Sequence, residues 1–539
     1  MIIPPPIQHY LKTVLMHTTH KEQLEDLYPV SCSILEHDLI ERLASKTNEP
    51  FDPEDLADIL EFFCSDDNIP DFIPELARLE WTFNKVKTSD VDLLADSDAT
   101  EINPSLEVVD LSWKLSSFLT GSPTASPEKN NEWALIWKDP TTGEVRVKAA
   151  SSEDLLALKM IAEDLALDKA AEQGNVPVEC IWIIFSNATK EGILIEPRSC
   201  IRRRVGSSDD PEEFQSADTF TLQWHITNTC DLHCKHCYDR SERSPLTLNQ
   251  ALGILNDMRF FCKKRHVQGH VCFTGGNPFM HVDFFDIYAE TVKRGFSTSI
   301  LGNPVPREKI QKLINIRKPF YFQVSLEGLE EHNDHIRGKG HFLSIIEFLE
   351  VLRDLNVSTA VMLTLTKDNI DQVIPLAEKL RGHTEYFTFN RLSRVGEGAN
   401  LFLPTPKKYE AFLELYVKAS ENNHIIGFKD NLINITLHNQ GSPTFDGCTG
   451  YGCGAAFNFL TVLPDGETHA CRKFPSPVGN VVTHTIADVY DSRKAALYRK
   501  GPSECTGCAL VRSCKGCMAI SHSQGLDVFK NKDPYCFIR

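Results

Sequence analysis

No stretch of this 539-residue chain comes near the roughly 20 consecutive apolar residues that a membrane-crossing helix needs, so a membrane-embedded role is not expected. Met1 to Ile7 is proline-rich and lacks the charged segment followed by an apolar one that marks a secretory signal, which predicts a cytoplasmic protein. Basic clusters are scarce as well. Arg202-Arg203-Arg204 is the one compact basic run and reads as a solvated linker. Net charge is −18, from 56 basic and 74 acidic residues, which argues against a nucleic-acid partner. There is no internal repeat and no low-complexity tract. With 42% hydrophobic and 24% charged residues, a chain of this length predicts about two to four globular domains.

Cysteine, by contrast, is abundant, at 17 residues. In a cytoplasmic chain that many thiols point to metal or redox chemistry rather than to disulfides. Eleven of them fall in two tightly spaced groups. The other six (Cys32, Cys64, Cys180, Cys200, Cys262 and Cys272) are scattered and read as small buried hydrophobes.

Periodicity divides the chain. Residues 1–100 read as helical, with apolar residues at helical spacing over Glu54–Phe63 and Phe72–Val86. Residues 121–131 form a linker-like stretch. Trp133–Trp137 and Val145–Ala149 flank Asp139-Pro-Thr-Thr-Gly143 as a hairpin, followed by a helix over Ser152–Ala171 and an apolar strand at Cys180–Phe185. A boundary is expected in the polar stretch 203–217, so residues 1–205 form an N-terminal helical and α+β domain. From 219 strands and helices alternate. Phe220–Ile226, His270–Thr274, Ser297–Leu301, Tyr321–Leu326, Thr359–Leu365 and Tyr386–Arg391 are the strands. The fold class is therefore α/β, with a parallel sheet of six β/α units over residues 215–400. Six units are too few to close an eight-stranded barrel, so an open, partial barrel is expected, with ligands at the C-terminal strand ends. Residues 401–446 read as a helical bridge, and 447–539 as a loop-rich cysteine domain.

The first cysteine group is Cys230, Cys234 and Cys237, spaced C-x3-C-x2-C directly after the first strand. Three thiolates can hold a [4Fe–4S] cubane and leave one iron open to a substrate. A zinc site remains an alternative if His225, His233 or His236 gives a fourth ligand. In this strand–helix context the motif resembles the radical S-adenosylmethionine (AdoMet) superfamily. The resemblance implies that the open iron chelates AdoMet and that one electron cleaves it to a 5′-deoxyadenosyl radical. Two further segments carry the likeness. Gly275-Gly276-Asn277-Pro278 resembles the family's Gly-Gly-Glu-Pro, which receives the AdoMet ammonium; Asn277 keeps an acceptor but loses the charge. Glycines there allow close backbone approach to the ligand. Ser325 and Arg337 stand where related enzymes contact the AdoMet ribose and carboxylate, with Glu327 replacing the more common Asp.

The second group is Cys448, Cys453, Cys471, Cys505, Cys508, Cys514, Cys517 and Cys536. Its spacing resembles the SPASM extension of peptide-maturing radical AdoMet enzymes, with x2 where that family has x3 before Cys517. The likeness implies two auxiliary [4Fe–4S] clusters, one on Cys448, Cys453, Cys471 and Cys517, the other on Cys505, Cys508, Cys514 and Cys536. Two structural zinc sites are the alternative. Sulfatase maturases, which share the extension, carry a basic Asp after the cysteine that precedes the gap. Arg472 stands there, leaving the catalytic base unassigned; Asp430 is a candidate, otherwise an exposed loop residue. The runs Gly447–Phe459 and Leu463–Pro477 resemble selenobiotic-type maturases, for which the implied product is a thio(seleno)oxazole.

Pro70–Trp81 and Trp133–Trp137 resemble partner proteins of copper-binding peptide biosynthesis, which implies recognition of a precursor peptide by residues 1–205. The expected partners are that peptide and a reductant such as ferredoxin or flavodoxin. The competing readings are a maturase for a folded protein and a non-catalytic iron–sulfur scaffold.

Overall fold

The computed structural model describes residues 24–35, 53–63, 69–91, 99–120, 126–165, 167–174, 176, 178–205 and 213–538. The chain divides into two units, Met1–Arg198 and Ser199–Arg539. No described helix is long and apolar enough to cross a membrane.

In the first unit, helices Leu56–Phe63 and Ile73–Thr88 occupy the stretches that periodicity indicated. Their buried faces, including Leu60, Ile73, Leu76 and Leu79, join Leu115 and Ile136 in one core. Strands Glu107–Leu111, Glu132–Lys138 and Val145–Ala149 form an antiparallel sheet in that order. The hairpin turn closes as its sequence demands. Asp139 accepts the amides of Thr141 (2.8 Å) and Thr142 (3.1 Å), and Gly143 supplies a φ of +72°. Two expectations change. The Ser152–Ala171 helix ends at Ala162 and a new one begins at Leu167. Cys180–Phe185 is not a strand but part of helix Val178–Lys190. Its Ile and Phe residues favour strands locally, yet Ile181, Ile184, Phe185 and Ala188 pack inward at helical spacing while Ile183 is 52% exposed, so burial of a helical face decides.

The second unit is built on one nine-stranded sheet. Strands β1 (Thr219–Thr227), β2 (Gln268–Gly275), β3 (Ser297–Leu301), β4 (Tyr321–Ser325), β5 (Thr359–Leu365) and β6 (Tyr386–Arg391) lie side by side in chain order, all parallel. This is the partial barrel. On the other side of β1 the sheet continues into the cysteine domain. β7 (Phe459–Val462) runs parallel to β1, and β8 (Glu467–His469) and β9 (Pro477–Asn480) follow antiparallel. Helices cover the outer face. The first of them, α1 (Leu248–Lys264), starts on a reciprocal capping box between Thr247 and Gln250.

Side-chain alternation along the strands decides where a ligand can sit. Leu222 and Trp224, Val271 and Phe273, Phe322 and Val324, Val361 and Leu363, and Phe387 and Phe389 are fully buried in one core. The residues between them face the other way, and Gln323, Ser325, Thr364 and Asn390 line a cavity at the C-terminal strand ends. A fully buried parallel strand carries apolar side chains on both faces; here one row is polar because it borders a ligand space.

The arginine run also differs from expectation. Arg202–Val205 pairs antiparallel with Glu213–Ser216, and the period of two turns Arg203 inward to 8% exposure while Arg202 and Arg204 stay exposed. Of the scattered cysteines, Cys262 and Cys272 are buried, Cys32 is half-buried, and Cys180 and Cys200 are exposed, so the last two are not core residues; Cys64 lies outside the described residues.

Candidate functional site

The loop after β1 carries Cys230, Cys234 and Cys237 onto the wall of a cavity of about 220 Å³. Gly275 and Gly276 from the end of β2, Ser325 from β4 and Arg337 from helix Glu330–Arg337 line the same space. Asn277 and Pro278 lie just behind it. Asn277 is 3% exposed and donates to Asp231 Oδ1 (3.3 Å), tying the glycine turn to the cysteine loop. The glycines serve packing as well as ligand approach. A Cβ on Gly275 would lie 2.2 Å from the Thr227 carbonyl oxygen, and one on Gly276 2.1 Å from that of Thr229.

Arg337 is held by Glu327. Its Nη2 and Nε donate to Glu327 Oε1 at 2.6 and 3.0 Å, and Nη1 lies 3.7 Å from Cys234 Sγ. Glu327 also accepts the Thr364 amide at 2.8 Å and pairs with His236 at 3.2 Å. Burial alone would raise the Glu327 carboxyl, but the neighbouring His236 and Arg337 charges hold it well below the usual carboxylate range. Glu327 thereby positions the Arg337 guanidinium beside the Cys234 thiol.

The three histidines of the zinc alternative each have a ring nitrogen engaged. His225 meets the Tyr238 hydroxyl (3.1 Å), His233 meets Arg240 (2.6 Å), and His236 meets Glu327. Burial, then the Arg472 charge, pushes His225 down to about 3, so this imidazole is neutral. The three thiols line the wall of one cavity, a placement that fits a cubane.

The eight later cysteines assemble as two quartets. Cys505, Cys508, Cys514 and Cys536 line one small pocket of about 20 Å³. In the other set, Cys453 feels Cys448 and Cys517, and Cys471 feels Cys453 and Cys517. Burial, reinforced by neighbouring thiols, pushes Cys453 and Cys505 up to about 11 and Cys471 up to about 12. Buried thiols crowded in fours are poor thiolates by themselves and become good ones around a cationic iron core, so both quartets fit clusters. Backbone contacts hold them in place. Asn431 donates to the carbonyls of Cys514 and Gly516, both at 2.7 Å, and accepts the Cys448 amide at 2.7 Å.

Asp430 is not an exposed loop residue. It is 8% exposed and accepts from Arg391 Nε at 2.7 Å, while Asp533 takes Nη1 and Nη2 of the same guanidinium at 3.0 and 2.6 Å. Arg391, at the end of β6, lines the cavity, and Asp533 lines the second quartet's pocket, so this triad spans the space between them. Removing one partner leaves a buried charge uncompensated. Asp533→Asn should cost about 3–5 kcal/mol, measured by denaturant unfolding of iron-replete protein. Asp430→Asn, which loses one contact rather than two, should cost less.

One cavity residue escaped sequence reasoning: Asn303 donates to Asp231 (2.7 Å) and approaches Cys230 Sγ (3.4 Å). A tally of the residues just beyond each strand's C-terminus would have found it. Arg472, which stands where sulfatase maturases carry their basic Asp, lines the cavity and donates to Thr274 Oγ1 at 3.4 Å.

Comparison with known proteins places two regions. Residues 224–380 match the radical SAM superfamily, and residues 453–518 match SPASM, an iron–sulfur cluster-binding domain. The antilisterial bacteriocin subtilosin biosynthesis protein AlbA of Bacillus subtilis (strain 168) is 24% identical over 282 residues, 50% of this chain and 59% of that protein, so this chain spans under two-thirds of it. Mycofactocin maturase MftC of Mycolicibacterium smegmatis is 26% identical over 333 residues, 58% of this chain and 82% of that one. The AdoMet-dependent heme synthase of Methanosarcina barkeri is 24% identical over 351 residues, 59% of this chain and 96% of that enzyme.

Proposed function

Because the chain carries a radical SAM domain followed by a SPASM domain, we propose that it reductively cleaves AdoMet to modify a ribosomally made, cysteine-rich peptide in the cytoplasm. The observation that carries this reading is the meeting of Cys230, Cys234, Cys237, Gly275, Gly276, Ser325 and Arg337 on one cavity at the C-terminal strand ends. Cys230, Cys234 and Cys237 would hold a [4Fe–4S] cluster with one iron open to AdoMet, and cluster and AdoMet together would supply the one-electron chemistry that removes a hydrogen atom from the substrate. The Gly275–Gly276 backbone and Asn277 meet the ammonium end of AdoMet, Ser325 its ribose, and Arg337, fixed by Glu327, its carboxylate. The two quartets would hold auxiliary clusters that supply further electron-transfer capacity, with a ferredoxin or flavodoxin as the reductant.

One observation supports a peptide over a small substrate: AlbA and MftC are described as acting in the making of subtilosin and mycofactocin. The unit Met1–Arg198 is the part assigned to the precursor. Its strand Val145–Ala149 pairs with Glu132–Lys138 and, among the described residues, with no strand on its other edge, where backbone groups suit β-addition of an extended peptide.

Anaerobic reconstitution tests the cluster count. Three cubanes predict about 12 irons per chain with matching sulfide. About four irons with two zincs would remove the auxiliary clusters from the proposal. Mass spectrometry of a co-expressed Cys-rich peptide encoded beside the gene then tests the substrate; an unmodified peptide alongside vigorous AdoMet cleavage would turn the reading toward another substrate.

A further inference from the structure

Two buried cations flank the first auxiliary quartet. Arg203 is 8% exposed, and its guanidinium lies 4.2 Å from the Phe457 ring centroid. Its Nη1 donates to the Cys453 carbonyl at 3.0 Å and its Nε to Gln215 at 3.3 Å, both neutral acceptors; Nη2 is buried with no hydrogen-bond partner. Lys515 is 7% exposed and held at a φ of +59°, a left-handed backbone that a lysine adopts only under constraint from its surroundings. It lines the pocket of the second quartet beside Cys505 and Cys514, and in the chain it stands between Cys514 of that quartet and Cys517 of the first. Among the described residues no carboxylate pairs with either cation. The buried arginine of the neighbouring triad, Arg391, is met by two carboxylates.

Buried charges without a counter-charge are strongly disfavoured, so something else must supply the negative charge. Four thiolates around an oxidised cubane bring four negative charges against two positive ones, a dianion. Taking up one electron makes it a trianion, with no bond formed or broken. Nearby cations stabilise the more negative state, and net charge and hydrogen bonding around the sulfurs are what set such potentials.

We propose that Arg203 and Lys515 are the counter-charges of the cluster held by Cys448, Cys453, Cys471 and Cys517, and that they hold its reduction potential above that of the same cluster without them. Arg203 acts mainly on this cluster. Lys515 acts on both, standing between the sites and stabilising the electron on either side. The inference rests on the reading that the quartets hold clusters.

Potentiometric titration of the full-length, anaerobically reconstituted protein, followed by electron paramagnetic resonance, tests it. Dithionite is the one-electron donor, and the variants are Arg203→Gln, Arg203→Lys and Lys515→Gln. Iron and sulfide are measured first: wild-type protein without auxiliary clusters would refute the underlying reading, not the counter-charge assignment. With clusters present, Arg203→Gln should lower the reduced-to-oxidised ratio of the first cluster at least tenfold at fixed potential, a downward shift of about 59 mV for one electron. The second cluster should move less. Arg203→Lys should restore most of the shift, and Lys515→Gln should lower both potentials. Unchanged potentials in the two Gln variants would overturn the proposal. So would an Arg203→Lys protein that falls as far as Arg203→Gln, since hydrogen-bond geometry and not charge would then be responsible. Should Arg203→Gln lose iron, Lys515→Gln decides by the same criterion, because it removes a charge without touching the Arg203 hairpin.

Discussion

Replacing Cys230, Cys234 and Cys237 together with alanine should reduce 5′-deoxyadenosine formation from AdoMet to background. AdoMet needs an iron without a protein ligand, and only this loop offers three thiols to a cubane at the mouth of the strands. The other eight thiols are matched in two sets of four, each sufficient to ligate every iron of its cluster. The triple variant should therefore retain about two-thirds of the iron, eight atoms of twelve. Its fold should survive, because the loop is anchored by backbone contacts that the substitutions leave alone, such as the Lys235 amide on the Ile336 carbonyl (3.0 Å) and the Asn277 amide on that of Thr229 (2.9 Å). Chromatography of the dithionite-reduced reaction measures the outcome. Cleavage at the wild-type rate would refute the assignment of the AdoMet site.

The second large effect concerns the N-terminal unit. A chain beginning at Ser199 should still cleave AdoMet, while modification and binding of the precursor fall by orders of magnitude. The start point matters. A cut near Pro211, where composition alone places a boundary, deletes Arg203 and its contact with the Cys453 carbonyl. Beginning at Ser199 keeps the pair Arg202–Val205 and Glu213–Ser216 and all eleven cluster cysteines. If the removed unit presents the peptide, its contribution is effective concentration, and holding a flexible substrate near the reacting atoms is worth about 7–11 kcal/mol in favourable cases. Isothermal titration and single-turnover assays on iron-replete truncated protein separate the effects. Unchanged affinity and rate would assign the unit a stabilising role instead.

Much of this architecture was legible in the sequence because it depends on local patterns. The strands from Phe220 to Arg391 are short apolar runs between helices of ordinary length, and all six appear within about a residue or two of the expected bounds. The assignment of the eight later cysteines to two quartets came from their resemblance to the SPASM extension, since the sets interleave in the chain: Cys514 and Cys517 belong to different ones. What stayed hidden depends on partners distant in the chain. Arg203 reads as a solvated cation until its pairing with Gln215 fixes which face it presents. Asp430 reads as a loop residue until Arg391, 39 residues earlier in the chain, meets it. Cys180–Phe185 reads as a strand because its side chains favour one, and the helical face appears only against the core it buries.

The pairing of β7 with β1 has a consequence for how the protein is made. Thr221 meets Phe459, a partner 238 residues later in the chain (459 − 221). At about 5–20 residues per second, the outer edge of β1 stays unpaired for on the order of ten to fifty seconds of synthesis. That edge carries open backbone donors and acceptors throughout, the condition under which nascent strands pair with the wrong neighbour. The cysteine loop begins three residues after β1 ends, so its thiols are also in place long before the strand that completes the sheet. Iron loaded during that interval would enter a cavity still lacking Arg472 and Lys473, which line it in the finished fold. The topology therefore favours late insertion, after the last cysteine, Cys536, has left the ribosome, and makes the ribosome-bound chain a natural client for a holdase.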